Sequence, residues 1–498
     1  MASLESRPLG PPRSSRGSRR AERGGKVPLR TRVAFSSGAF EEAAIGAAGI
    51  ATMLFYNQVL GVSAYLCGIV FFVASVVDAV TDPLVGSLSD NFRSRFGRRH
   101  PFMLASLLPL CVGFYVLYAP PDAMSETFYF GWFLAAMVLM RIGKTFFAVP
   151  HDALGAELTD DYHERTSILG LNAVIGMIGL VLLSVFVLVV LFPSTEGYEN
   201  GLLNPDGYPA LALAGSAFIC LMLLVCVVGT RDQIPLLHDV QHQRVRLRDN
   251  LADLVSLLKA RSYLSICLAW LVMVVSFGIL GVVGTYAYLY GFELSTEEMS
   301  IQRFVMIPGM FAALPLAAWL TRRLDKKRTV IYASVLGATL VGLPPALKMI
   351  GFFPANDSAW MLPALFGSLF LGFLILPVSN IVFDSQLADV ADEHEYRTGR
   401  RAEGMVFSIR TFGFKATGGL GGLIGGIGLE IIGFPENATQ EMLTTEMLNG
   451  LFFMTGPLYW IFVAAGMGLM ALYSINEQRH GAMIEELKAR RAPAVDQG

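Results

Sequence analysis

Runs of apolar residues long enough to cross a lipid bilayer recur along almost the whole chain, and no other feature constrains the fold as tightly. A crossing helix needs about 20 such residues. Inside hydrocarbon every backbone N–H and C=O must find a partner within the protein, which leaves only helices or a closed barrel. Barrel strands alternate polar and apolar positions, and these runs do not. The sequence therefore predicts an all-α polytopic membrane protein. Twelve spans are expected near 34–60, 63–89, 101–120, 127–157, 166–193, 208–230, 263–290, 299–321, 328–350, 359–387, 403–433 and 448–474. Several are longer than one crossing requires, so tilt or extension beyond the bilayer is expected. Only 16% of residues are Asp, Glu, Lys or Arg, against about 25% in a soluble domain. That argues against a soluble enzyme, a disordered chain and a secreted disulfide scaffold. The five cysteines (Cys67, Cys111, Cys220, Cys226, Cys267) all fall in apolar runs. They read as small packing residues and not as a disulfide frame or a metal site.

Charge orients the spans. Basic residues gather in the N-terminal tail, in the loop after the second span (Arg93, Arg95, Arg98, Arg99) and around 231–261. They return at Arg322, Arg323, Lys326, Lys327 and Arg328, in the loop after the tenth span, and in the C-terminal tail. The opposite loops, 193–210 and 434–450, hold no Lys or Arg. By the positive-inside rule both termini lie in the cytoplasm, in keeping with an even number of spans. The same rule accounts for the basic tail without a nucleic-acid partner. The lipid bilayer and a small-molecule substrate are the partners expected of such a chain, working as a monomer in the plasma (inner) membrane.

The chain repeats itself. Pro83-Leu84-Val85-Gly86 recurs as Pro315-Leu316-Ala317-Ala318, and the segment from Ala156 to Thr166 recurs from Ala388 to Thr398, both at an offset of 232. Asp152 falls on Asp384 by the same shift. Two six-helix halves in one orientation are the layout of the major facilitator fold. The expected organisation is a disordered basic tail over 1–33, an N-terminal bundle over 34–230, a linker over 231–262, a C-terminal bundle over 263–474 and a tail over 475–498. In the linker, Leu247, Leu251, Leu254, Val255 and Leu258 are spaced for an amphipathic helix on the membrane surface.

Ionisable groups at bilayer depth are costly and point to function. Asp78 and Asp82 lie four apart on the second span, which puts both carboxylates on one helix face. Two like charges that close call for a cation between them, a sodium ion or a proton, or else for salt bridges to neighbouring helices. Arg141, Lys144 and Thr145 share a face of the fourth span, with Asp152 nearer its inner end. Arg141 and Lys144 are placed to neutralise Asp78, Asp82 or Glu42, and the Lys144 ammonium is a further occupant for the ion's place. His151 reads as a packed, hydrogen-bonded residue or as a proton relay. Of the adjacent Glu41 and Glu42 only one faces a cavity well, and Glu42 is preferred. Lys415 sits in the eleventh span beside a glycine-rich stretch, Gly418 to Gly428, that lets helices approach closely. A buried ion pair and a substrate anion are both open to it. Gly86, Asp90, Arg93, Arg95, Gly97, Arg98 and Arg99 form the spacing of a gate, or a plain topogenic cluster.

These residues carry a resemblance. The run from Asp78 through Asp82-Pro83, Gly86, Asp90, Arg93, Arg95 and Gly97-Arg98 resembles the glycoside–pentoside–hexuronide:cation symporters, a family that includes melibiose permease. Two more stretches agree: Val149-Pro150 to Thr166, and Ala388-Asp389 to Lys415. The resemblance implies that Asp78, Asp82 and Thr145 hold a coupling ion, Na+ or H+, with no other cofactor. It matches Lys415 to the family's eleventh-span lysine, and the intramembrane charges Glu42, Arg141, Lys144 and Asp152 are expected to form the substrate or charge network with it. The sequence departs from melibiose permease at its sugar-binding positions, which fall on Ala148, Asp152 and near Asn172, Ala173 and Ala43. The expected function is cation-coupled symport of a sugar, glycoside or uronide by alternating access. The alternatives are a sodium-dependent lysophospholipid symporter, which a related branch resembles, and a membrane sensor that does not transport. A membrane enzyme is not expected, because no nucleophile elbow or metal cluster is visible.

Overall fold

The computed structural model describes residues 26–159, 161–236, 257, 259–399 and 403–491. The expected amphipathic helix of the linker, most of the basic tail and the last residues lie outside these. The described residues are helical almost throughout. The crossing helices of the first half are α1 (Leu29–Val59), α2 (Ala64–Asn91), α3 (His100–Tyr118), α4 (Glu126–Glu157), α5 (His163–Leu191) and α6 (Gly207–Thr230). Those of the second half are α7 (Arg261–Gly291), α8 (296–324), α9 (326–349), α10 (Met361–Thr398), α11 (Glu403–Ile431) and α12 (Thr445–Met470). A surface helix, α13 (Glu477–Arg491), follows.

Ten apolar runs satisfy the length and hydropathy of a crossing. One of them, Phe311–Met349, holds parts of two crossings, α8 and α9. Asp325 has φ 68° and ψ 157° and breaks the helix there. Asn200 meets Leu294 just before α8, whereas Lys326 meets Asp389 and Lys327 meets Tyr473 just after it. The chain has therefore crossed once between these points. α11 is the twelfth; its glycines and Lys415 dilute its hydropathy.

Two boundaries differ from the sequence reading. The first helix begins at Leu29, inside the expected tail. Its entry is pinned by polar contacts as well as by the buried Val27 and Phe35: Val27 N–H and Arg32 both donate to Glu164 Oε1, at 2.7 and 2.6 Å. The expected C-terminal tail folds into α13. Arg479 reaches Glu393 at 2.7 Å, His480 reaches Asp392 at 3.0 Å, and Met483 and Leu487 are buried.

The repeat persists in the backbone. α1 ends in a π-turn over Phe55–Val59 and α7 in one over Ala287–Gly291, again 232 positions apart. Both turns lie on the face away from the termini, where the halves are sealed together. Tyr286 Oη donates to Asn57 Oδ1 at 2.7 Å and Tyr290 Oη to Gln58 Oε1 at 2.8 Å. Gln58 also donates to the Pro435 carbonyl at 3.0 Å and accepts from Ala438 N–H at 2.9 Å. Below the seal α11 packs directly on α2 and α7. A Cβ at Gly426 would lie 2.4 Å from the Ala64 carbonyl oxygen, and one at Gly278 would lie 2.8 Å from Gly421 Cα. Only hydrogen fits at such distances, which is the packing role the glycine run predicts. On the terminal face the named ion pairs each stay within one half: Arg98–Glu157 in the first, Lys326–Asp389 in the second. Large apolar side chains such as Leu108, Leu213 and Leu314 cover the outside of the bundle, as a lipid-facing surface requires.

Candidate functional site

A cavity of about 620 Å³ opens between the halves, walled by α1, α2, α4, α7 and α11. Its charges are matched across helices. On α2, Asp78 Oδ2 accepts from Arg141 of α4 at 2.8 Å, and Asp78 Oδ1 is buried without a hydrogen-bond partner. One turn on, Asp82 Oδ1 accepts from Thr145 Oγ1 at 2.9 Å, and Asp82 Oδ2 is ion-paired to Lys415 Nζ of α11. Thr145 also meets Thr81 at 3.1 Å. Lys144 is ion-paired to Glu42 of α1. The shared helix face expected of Asp78 and Asp82 thus meets α4 with one carboxylate and both α4 and α11 with the other.

A second cavity of about 520 Å³ lies between α1, α4 and α5. It shares Glu42, Ala148 and Asp152 with the central one. Glu41 lines it, is 2% exposed, and has an Oε1 without a hydrogen-bond partner. Asn172, at a position where the resemblance places the sugar site, contributes a second unpartnered oxygen. Asp152 is open to the cavity, with a side chain 82% exposed and only His151 Nδ1 near it, at 3.7 Å. His151 itself is packed. Its Nε2 bonds the Phe35 carbonyl at 2.9 Å, and its ring stacks on Phe35 with centroids 4.3 Å apart.

Sequence reasoning placed these groups together but paired them incompletely. It offered Lys144 as an occupant of the ion's place, but Lys144 goes to Glu42 and Lys415 is the ammonium on Asp82. The preference for Glu42 over Glu41 agrees with the central cavity, yet Glu41 faces the side cavity as well.

The gate differs in its centre. Arg99 donates to Glu157 at 3.0 Å and to Ser89 at 2.8 Å and pairs with Asp90 at 2.5 Å, while Arg98 donates to Glu157 at 2.6 Å. Arg93 is exposed, and Arg95 lies over the Phe96 ring at 4.8 Å. The cluster is therefore organised by Arg99, one of several arginines in the gate spacing, and by Glu157, which that spacing did not include. Gly97 takes φ +78° in the turn, a conformation that favours glycine. Gly86 is under no such demand, since a Cβ there would sit 3.6 Å from Val149. The seal formed by Asn57, Gln58, Tyr286 and Tyr290 was also missed. Its one signal is a pair of amide side chains closing an apolar run.

Two six-helix halves around a charge-lined cavity, sealed on one face, define a multi-pass membrane transporter of the major facilitator class. The chain belongs to the family described as MFS/sugar transport protein, whose model matches residues 35–477. It is 26% identical to the "Putative glycoside/cation symporter YagG" of Escherichia coli (strain K12), covering 88% of this chain and 90% of that one. It is 25% identical to the "Putative sulfoquinovose importer" of the same organism, covering 94% and 95%. It is 23% identical to the "Isoprimeverose transporter" of Lactiplantibacillus pentosus, covering 80% and 78%. Among solved structures it is similar to the nucleoside transporter NupG, with a TM-score of 0.55 at 14% identity over 92% of this chain and 98% of that one. That likeness concerns the fold alone.

Proposed function

We propose that this protein couples the movement of a monovalent cation, Na+ or H+, to the uptake of a sugar or glycoside by alternating access. The relatives named for glycosides and sugars support the substrate class. The observation that carries the coupling is at Asp82, whose carboxylate is tied at once to Thr145 in its own half and to Lys415 in the other. Asp78 adds a buried carboxylate oxygen without a hydrogen-bond partner one turn away. A cation entering between the two aspartates competes with Lys415 for Asp82 and so weakens a tie between the halves. Ion occupancy and conformation are then linked. Arg141 holds Asp78, and Lys144 with Glu42 ties α4 to α1.

With the basic loops on the cytoplasmic side, both termini face the cytoplasm of a cell whose plasma (inner) membrane holds the protein. The sealed face is then the outer one, and the cavity faces inward. Nothing in this scheme makes or breaks a covalent bond, so the protein is not an enzyme. The lysolipid and sensor readings find no support among the named relatives.

Coupled binding tests the scheme. Calorimetry on purified protein should show that Na+ or a proton tightens glycoside binding, and that glycoside tightens ion binding by the same factor. Independent binding of the two would contradict it.

A further inference from the structure

The charges of the two joined cavities do not balance, and the imbalance bears on the substrate; the inference rests on the sugar-transport reading above. Four carboxyl groups line them, Glu41, Glu42, Asp78 and Asp152, and a fifth, Asp82, pairs with Lys415 in the wall. Among the described residues three fixed cations face them, and each is already engaged: Arg141 with Asp78, Lys144 with Glu42, Lys415 with Asp82. His151 turns Nε2 to the Phe35 carbonyl and leaves Nδ1 3.7 Å from Asp152. Arg410, beside the cavity-lining Thr411, is held by Asp384 at 2.8 Å and lies over the Trp270 ring at 4.9 Å. Glu41 and Asp152 remain without a Lys or Arg partner, both on the side cavity.

We infer that this site takes a polyhydroxylated ligand without an acidic group, neutral or bearing an amine, and rejects sugar acids. Hydroxyl or ammonium donors find an exposed acceptor at Asp152, with the buried, unpartnered Glu41 Oε1 and Asn172 Oδ1 in the wall beside it. A carboxylate or sulfonate finds no disengaged Lys or Arg among the described residues. It must either break one of three ion pairs or lie against Asp152, and like charges brought together in a closed site cost several kcal/mol. The position where melibiose permease carries its fifth-span arginine falls here on Asn172 or Ala173, so that cation is absent too. The discrimination arises from repulsion and unmatched charge as much as from attraction.

The test is binding of ring-matched trios to the full-length protein in lipid nanodiscs: glucose, glucosamine and glucuronate, and the galacto equivalents, at a pH where the amine is charged. The neutral or amino member should bind at least about tenfold tighter than the uronate. Asp152→Asn should weaken the amino sugar about fivefold or more and the neutral sugar clearly less, since the ammonium loses an ion pair where a hydroxyl loses only the charge assistance of its hydrogen bond. The side chain is 82% exposed, so this variant should fold normally, and an unchanged melting temperature without ligand checks that. Uronate binding equal to or tighter than neutral sugar overturns the inference and leaves the transport reading intact. Failure of every trio in both ring series overturns the sugar reading and this inference with it.

Discussion

Gln58 and Tyr290 are 232 positions apart and hydrogen-bonded to each other at 2.8 Å. The separation equals the offset of the internal repeat, so equivalent positions of the two halves meet where their ends converge. A parallel repeat about an axis along the membrane normal brings such pairs together. Gln58 is 5% exposed and serves three backbone or side-chain partners of the other half: Tyr290, Pro435 and Ala438. Gln58 therefore carries most of the seal's bonds, with the Asn57 amide holding Tyr286 beside it. Tyr290→Phe removes one of its bonds and should cost about 1 kcal/mol. Gln58→Ala strands three buried groups and should cost several times more. Alkylation of a cysteine at Thr285, on the cavity wall below the seal, measures the opening. The rate should rise modestly in the first variant and strongly in the second.

Lys415 and a coupling ion compete for Asp82 in this scheme. Lys415→Gln should then raise apparent ion affinity several-fold, while ion-driven accumulation of sugar falls because the tie between halves is gone. Ion titration by intrinsic fluorescence, paired with uptake, separates the two effects. A fall in ion affinity would mean that the lysine assists the ion.

At the basic loop the weight falls on Glu157. It receives both Arg98 and Arg99, and the Arg99 side chain is 6% exposed. Glu157→Gln leaves a buried guanidinium with reduced compensation and should cost about 3 kcal/mol or more. Arg93→Ala and Arg95→Ala should stay within about 0.5 kcal/mol, as exposed substitutions do. Thermal unfolding in detergent ranks them.

Glycines that look alike in sequence should behave differently. Gly426→Ala puts a methyl 2.4 Å from the Ala64 carbonyl and must push α11 from α2, so the outward-sealed packing should be lost. Gly86→Ala makes an ordinary 3.6 Å contact with Val149 and should be tolerated. The same cysteine-alkylation assay reads both.

The spans, the repeat and the intramembrane charges were legible because lipid enforces them. Apolar length marks a crossing, and a charge at depth has few innocent explanations. Asp78, Asp82 and Lys415 were found for that reason, and Thr145 joined them through the family resemblance. Their pairing was not legible, because it depends on how helices from different parts of the chain rotate against each other. Spacing places Lys144 and Arg141 on one face of α4 without saying that one reaches α1 and the other α2. Arg99 and Glu157 are ordinary interfacial charges until the loop folds Arg99 under Ser89 and Asp90. Asn57 and Gln58 carry no charge, so no penalty drew attention to them. The early start of α1 likewise depends on Glu164, a residue far along the chain.

The most direct measurement is uptake into proteoliposomes under an imposed Na+ or pH gradient, using a glycoside that binds the purified protein. The account predicts accumulation above the outside concentration, driven by one of the two gradients and abolished in both Asp78→Asn and Asp82→Asn. Uptake that only equilibrates, ignores either gradient and survives both substitutions would contradict it.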